Sequence, residues 1–169
     1  RGAICTFCDT DFVGTNGEGG GKFASPAALA AHAASRLPIS EGRPLVVCTG
    51  GEPLLQLDLP LIDALHAANF EIAVETNGTI AAPTGVDWIC VSPKANAPLV
   101  QNSGDELKLV YPQTDAPPEK FASLDFRNFF LQPMDGPDLE RNTKLAVDYC
   151  RANPHWRLSL QIHKLVGIP

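Results

Sequence analysis

No apolar run in this chain approaches the roughly 18–20 residues a bilayer-spanning helix needs, so a helical membrane anchor is excluded within these residues. Nor does a basic stretch followed by an apolar one open the chain, as a secretory signal would. Positive charge is also short. Thirteen Lys and Arg stand against 19 Asp and Glu, a net charge of −6 with a pI near 5.1, which argues against nucleic acid or an anionic membrane as partner. There is no internal repeat, no low-complexity linker, no initiator methionine and no second Cys-x-x-Cys pair.

What is present is ordinary in bulk: 169 residues, 44% hydrophobic and 19% charged, enough for one domain with a sizeable core. The five cysteines are an odd number, and Cys48 and Cys90 sit inside strand-like runs. That usage suits a reducing compartment better than a disulfide scaffold, so a cytoplasmic protein is expected. Buried-thiol packing is the plain expectation for Cys48, Cys90 and Cys150.

Helices and strands alternate along the chain. Gly14 to Lys22 is too glycine-rich to be anything but loop. Ser25-Pro26 offers an N-cap and a first-turn proline for an alanine-rich helix running to Leu37, which Pro38 to Arg43 breaks. Leu45–Cys48 reads as a short, fully buried strand. Asp58 and Pro60 open a second helix with Leu61, Ile62, Leu65 and Ala68 on one stripe. Strands are expected over 70–74, 87–91, 106–111, 128–131 and 158–162, a short helix over 117–124 and the longest helix over 138–152. The order predicts an α/β fold with a mainly parallel sheet. Helices are fewer than strands, which favours an abbreviated, partly open parallel-strand barrel over a full eight-fold one.

Polar segments close these apolar runs, where α/β folds gather a site. They are Thr49-Gly50-Gly51-Glu52-Pro53, Glu75-Thr76-Asn77-Gly78, Ser92-Pro93-Lys94 and Gln132-Pro133-Met134-Asp135, preceded by Cys5-Thr6-Phe7-Cys8. Thiolates at i and i+3 can face one metal centre, a spacing used by iron–sulfur clusters, zinc sites and redox dithiols alike. A zinc site needs two further ligands, and His32, His66, His155 and His163 are scattered. A redox dithiol favours a helix start, but a glycine-rich loop follows here. Gly50-Gly51 lets a ligand approach the backbone, and Glu52 can accept from an ammonium group; the plain alternative is a glycine turn. Glu75 at a strand end is placed to bind ribose hydroxyls, unless Asn77-Gly78 is merely a turn with Glu75 solvated. Lys94 is either a carboxylate-holding cation or a surface lysine.

Taken together, Cys-x-Phe-Cys, Gly-Gly-Glu-Pro, a strand-end Glu and a strand-end Ser-x-Lys resemble the radical S-adenosylmethionine superfamily. More narrowly, Cys8-Asp9-Thr10-Asp11-Phe12, Thr49-Gly50-Gly51-Glu52-Pro53, Glu75-Thr76-Asn77-Gly78, Ser92-Pro93-Lys94, Asp105-Glu106-Leu107-Lys108, Gln132-Pro133-Met134-Asp135-Gly136 and the closing His163-Lys164-x-x-x-Ile168-Pro169 are similar to the 7-carboxy-7-deazaguanine synthase family of queuosine and deazapurine biosynthesis. The likeness runs through essentially the whole chain. It implies a shortened barrel in which Cys5 and Cys8 are two of three thiolates on a 4Fe-4S cluster. Phe7, Gly51, Glu52, Glu75, Ser92, Pro93, Lys94, Gln132, Pro133, Met134 and Asp135 would line the S-adenosylmethionine pocket, with Glu75 and Lys94 as catalytic candidates. Thr10 would ligate Mg²⁺, its octahedron completed by waters and substrate oxygens. Thr49, His163 and the terminal carboxylate of Pro169 would contact substrate; from the residues alone, His163 reads as an ordinary strand-end histidine.

The reaction so implied starts with one-electron cleavage of S-adenosylmethionine and hydrogen abstraction from C6 of 6-carboxy-5,6,7,8-tetrahydropterin. Ring contraction and loss of ammonia then give 7-carboxy-7-deazaguanine. A small electron donor such as a flavodoxin and a homodimer are the expected partners. The family pattern also needs a third cluster cysteine, and in the common spacing it would fall on Arg1. The expectation is therefore one domain over 1–169 lacking its N-terminal strand and first cluster cysteine, and inactive in this form. Two rivals stand beside this: a cluster-less S-adenosylmethionine-binding relative, and a small zinc or dithiol protein.

Overall fold

Ser25 turns the chain into α1 (Pro26–Ser35), its side chain accepting from the Ala28 amide at 3.2 Å, with Pro26 in the first turn where no N–H is needed. Asp58 does the same for α2 (Leu59–Ala67), accepting from Leu61 N at 3.0 Å. That helix ends on Asn69, whose φ of 67° is left-handed. The Asn69 amide donates to His66 O and the Phe70 amide to Leu65 O, a Schellman closure that returns the chain directly into a strand.

The computed structural model describes residues 14, 15, 17, 19–37 and 42–167. The chain divides into two compact units. Among the described residues, one holds everything up to Thr76 together with Ala81–Ile89; the other holds Asn77–Ile80 and everything from Cys90 onward.

In the first unit β1 (Leu45–Cys48) pairs in parallel with β2 (Glu71–Thr76), from Leu45↔Glu71 to Cys48↔Val74. α2 packs on β2 and against α1. Ala30, Ile62, Leu65, Phe70, Ile72 and Val74 form its core. Each large aliphatic side chain buried this way contributes about 1.5–3 kcal/mol relative to exposure. The segment entering β3 (Trp88–Val91) is fastened by Asp87. Its carboxylate accepts from His66 Nε2 at 3.0 Å and from Ile72 N at 2.8 Å, tying this segment to α2 and β2.

The second unit contains β4 (Ser103–Tyr111), β5 (Asp125–Pro133) and β6 (Trp156–Leu158), with α3 (Leu139–Ala152) against β5 and β6 and a last short helix, α4 (Ile162–Leu165). Cys90 and Val91 of β3 pair with Glu106 and Leu107; β4 pairs with β5 from Ser103↔Asp125 to Tyr111↔Pro133; β5 pairs with β6, all in parallel. Leu107, Leu109, Phe129, Leu131, Ala146 and Trp156 make this core, with the Phe129 and Trp156 rings edge-on at 5.3 Å.

The strand order is β1-β2-β3-β4-β5-β6. Each strand is added on the same side as its predecessor, so the order never reverses. That is the winding of a barrel rather than of a doubly wound nucleotide fold, whose order switches direction. Among the described residues, the β1–β2 and β5–β6 crossovers are the ones that carry an α-helix, while α1 precedes β1 and α4 follows β6, which accounts for the shortage of helices read in the sequence.

Three local expectations are corrected. β1 is not fully buried: Leu45 and Val47 are 54% and 46% exposed, because β1 ends the strand order and has one described neighbour. Cys48 and Cys150 are half-buried, and only Cys90 is buried among the described cysteines. The last strand ends at Leu158, and residues 162–165 form a helical turn instead. No helix among the described residues is long and apolar enough to cross a membrane.

The Asp87 contacts predict a pH-dependent stability term. Its hydrogen bond from His66, then that from Ile72, hold its carboxyl below the usual range. A depressed folded value stabilises above the unfolded value and is lost as pH falls through the folded one. Asp87→Asn is expected to cost about 1 kcal/mol at pH 7, discounted for solvent screening. In urea titrations its difference from wild type should begin to shrink as pH falls below about 4 and vanish only below the depressed folded value. A difference that persists undiminished at pH 3 contradicts this.

Candidate functional site

At the tip of β1 the chain passes through exposed Thr49 into Gly50, whose φ of 124° suits only glycine. A Cβ built there would meet nothing within 4 Å among the described residues. Glu52 follows and caps a short 3₁₀ turn (Pro53–Leu55). Its Oε1 accepts from Leu54 N at 3.0 Å and from the Thr76 hydroxyl at 2.7 Å. Thr76, the last residue of β2, is 2% exposed. The carboxylate that the sequence marks as an ammonium acceptor is thus aimed by its own turn and by the neighbouring strand. Glu75, one residue earlier, lies on the opposite face of β2 and is exposed.

In the second unit Asn77 Oδ1 accepts from Thr79 N at 2.9 Å, and Gly78 turns with φ 78°. Beyond β3, Lys94 Nζ donates to Ser92 Oγ at 2.6 Å, across the buried Pro93. The loop is gripped by Gln113, just past β4. The Gln113 Oε1 accepts from Ala95 N at 3.2 Å, and its Nε2 donates to Val110 O at 2.8 Å and Pro93 O at 3.5 Å. At the tip of β5, Gln132 and Met134 are half-buried, Pro133 is buried and Asp135 is exposed. Met134 N donates to Tyr111 O at 2.8 Å, and Asn142 Nδ2 donates to Met134 O at 2.9 Å. Asp135 pairs with Lys164 of α4, which brings the exposed His163 segment to the β5 tip.

Polarity is buried sparingly. Among the described residues the buried polar side chains are Thr76, Gln113 and Asn142, and each fastens a loop at the C-terminal end of a strand. None was singled out from the sequence. Asn142 had a signal, since it shares a helical stripe with buried Ala146, four residues on, where an apolar side chain would be expected. Gln113 had only its position after an apolar strand.

Cys5, Phe7, Cys8, Thr10 and Pro169 lie outside the described residues. Within the described ones no group of three His, Cys, Asp or Glu could hold a metal ion, so a zinc site draws no support there. Burial pushes the Cys48 and Cys150 thiols up, which disfavours thiolate at neutral pH. Taken unit by unit, the oriented Glu52 carboxylate beside a glycine backbone is chemically suited to an ammonium group, and the Ser92–Lys94 pair is suited to a carboxylate or hydroxyl group.

Residues 2–153 match the sequence model described as the radical SAM superfamily. The chain is 66% identical over 167 residues to the 7-carboxy-7-deazaguanine synthase of Caulobacter vibrioides, covering 99% of this chain and 80% of that protein. It is 61% identical over 168 residues to the enzyme of the same name from Bordetella pertussis, with the same coverage. Among solved structures, the crystal structure of QueE from Escherichia coli superposes with a TM-score of 0.63 at 32% identity, covering 82% of this chain and 64% of that one. By sequence and by winding, the chain belongs to the 7-carboxy-7-deazaguanine synthase family of the radical S-adenosylmethionine superfamily.

Proposed function

We propose that this protein converts 6-carboxy-5,6,7,8-tetrahydropterin to 7-carboxy-7-deazaguanine with loss of ammonia. The observation that carries this is the 66% identity, over 99% of the chain, to a relative bearing that enzyme's name. Substrate and product differ by one molecule of ammonia, so the conversion needs no net oxidant or reductant. That balance agrees with S-adenosylmethionine being re-formed after each turnover. A 4Fe-4S cluster with S-adenosylmethionine, when bound, supplies a hydrogen-abstracting radical.

The protein's share is binding, orientation and exclusion of water. Cys5 and Cys8 are the candidate cluster ligands, and Phe7 is a candidate contact for the nucleoside. Gly51 and Glu52 receive the methionyl ammonium and Glu75 the ribose. Ser92, Pro93 and Lys94, with Gln132 to Asp135, are further candidate contacts for S-adenosylmethionine; Glu75 and Lys94 are the catalytic candidates. Thr10 is the candidate Mg²⁺ ligand, placing the ion on the substrate carboxylate. Thr49, His163 and Pro169 hold the substrate. A flavodoxin-like electron donor and a homodimeric assembly complete the reading.

The test is anaerobic reconstitution of the full-length gene product with iron and sulfide, followed by incubation with the pterin, S-adenosylmethionine and dithionite. The expected result is deazaguanine and ammonia in equal amounts, with far less S-adenosylmethionine consumed. Cleavage to 5′-deoxyadenosine without any deazapurine would sink the assignment. Within the site, Thr76→Val removes the hydroxyl that aims Glu52 at nearly constant volume. It is expected to cost about 1 kcal/mol of stability and, if that loss is felt by the ligand, about five-fold in S-adenosylmethionine affinity. Calorimetric titration beside urea denaturation reads both.

A further inference from the structure

We infer that Gln113 is a positioning residue for Lys94, setting the height and direction of that ammonium for S-adenosylmethionine through an amide clasp on the Ser92–Ala95 loop. The inference rests on the functional reading of Ser92–Lys94 given above. Gln113 is 8% exposed, one of three buried polar side chains among the described residues, and it has both donors and an acceptor to satisfy. It satisfies them on the residues either side of Lys94: it accepts from Ala95 N at 3.2 Å and donates to Pro93 O at 3.5 Å. The stronger donation to Val110 O, at 2.8 Å, anchors the amide to the end of β4. Lys94 is therefore held from both flanks by a group rooted in the sheet. Its own donation to Ser92 Oγ at 2.6 Å then sets the direction of the side chain.

The chemistry of the clasp is demanding. A primary amide meets all three needs at once, with an acceptor for the Ala95 amide and two N–H donors for the Pro93 and Val110 carbonyls. A carboxylate there would face two carbonyl oxygens, and an aliphatic side chain would leave the Ala95 amide without its bond. A glutamine is otherwise an odd choice for a buried place beside a strand end.

The deciding variant is Gln113→Glu, which keeps the volume and removes the donor; Gln113→Asn, shorter by one methylene, is the milder companion should the first fail to fold. Two readouts are taken. Titration calorimetry on the anaerobic holoenzyme should show the Kd for S-adenosylmethionine rising about ten-fold in Gln113→Glu, about 1.4 kcal/mol. Acetylation of Lys94 by a mild amine-reactive ester, followed by peptide mass spectrometry without added nucleoside, should run at least about three-fold faster. In a Lys94→Met background the Gln113 substitution should change Kd by less than about two-fold, because the group it acts through is gone. Ile62→Val, a core truncation in α2, serves as a destabilised control and should move neither readout. Unchanged Kd and unchanged Lys94 reactivity would overturn the inference, as would a Kd effect of full size with Lys94→Met present. Should wild-type protein bind no S-adenosylmethionine, the functional reading fails, while the acetylation arm still decides the clasp.

Discussion

In the full-length gene product, Cys5→Ala is expected to leave anaerobic reconstitution nearly colourless, with iron at the level of an unreconstituted control and product below detection. Thiolates hold iron–sulfur clusters, and removing one leaves an iron without its ligand. The described cysteines cannot stand in. Cys90 is buried in β3, where its thiol donates to Glu106 Oε1 at 3.5 Å. Cys48 lies at the end of β1 and Cys150 in α3, and burial raises both thiols, so neither is poised as a thiolate. No two of these three sit at the i, i+3 spacing of Cys5 and Cys8. Measured iron, sulfide and visible absorbance give the result directly. Iron content equal to wild type would remove Cys5 from the cluster, and the proposed chemistry with it.

Gly78→Ala is expected to be the most destabilising single-methyl change at the strand tips, by about 2–4 kcal/mol. Two costs add. The φ of 78° is left-handed, which charges a Cβ roughly 1–2 kcal/mol. The new methyl would also stand 2.6 Å from Leu99 Cδ1 and 2.7 Å from Val91 Cγ1, and Val91 is fully buried, so overpacking contributes about 1–3 kcal/mol more. Some of this is relieved, since Leu99 can turn aside. The carbonyl of Gly78 also accepts from Val100 N at 2.8 Å and Gln101 N at 3.0 Å, so any shift loosens the loop that follows Lys94. Gly50→Ala is the informative contrast: its φ of 124° is at least as unfavourable, but no described atom lies within 4 Å of the built Cβ, so only the strain remains. Urea denaturation of both variants should rank Gly78→Ala clearly below Gly50→Ala. Equal losses would show that packing at Gly78 is not what demands a glycine.

Much of the site was readable because its members are side chains whose chemistry is local. Glu52, Ser92, Lys94 and Asp135 follow short apolar runs, and strand ends are where a parallel sheet exposes functional groups. Their supports were not readable in the same way. Thr76 was quoted as part of a turn motif, yet its role is to aim Glu52, a residue 24 positions earlier. Gln113 and Asn142 bond to backbone atoms 18 and 8 residues away, and nothing in their immediate neighbours announces those partners. His163 was placed at a strand end because Leu158, Leu160 and Ile162 alternate with polar residues. The strand stops at Leu158, and Lys164 instead draws a helical turn toward Asp135.

The sequence by itself determined the helix starts, the parallel α/β class and the identity of the groups available for chemistry. Caps, apolar periods and motif residues act over a few neighbours, so their meaning survives without a fold. Tertiary structure alone decided that β1 keeps an exposed flank, that the strand order never reverses, and that three buried polar side chains lock the strand-tip loops. These depend on which distant segments meet, and a buried hydrogen bond has value only when its partner arrives from elsewhere in the chain.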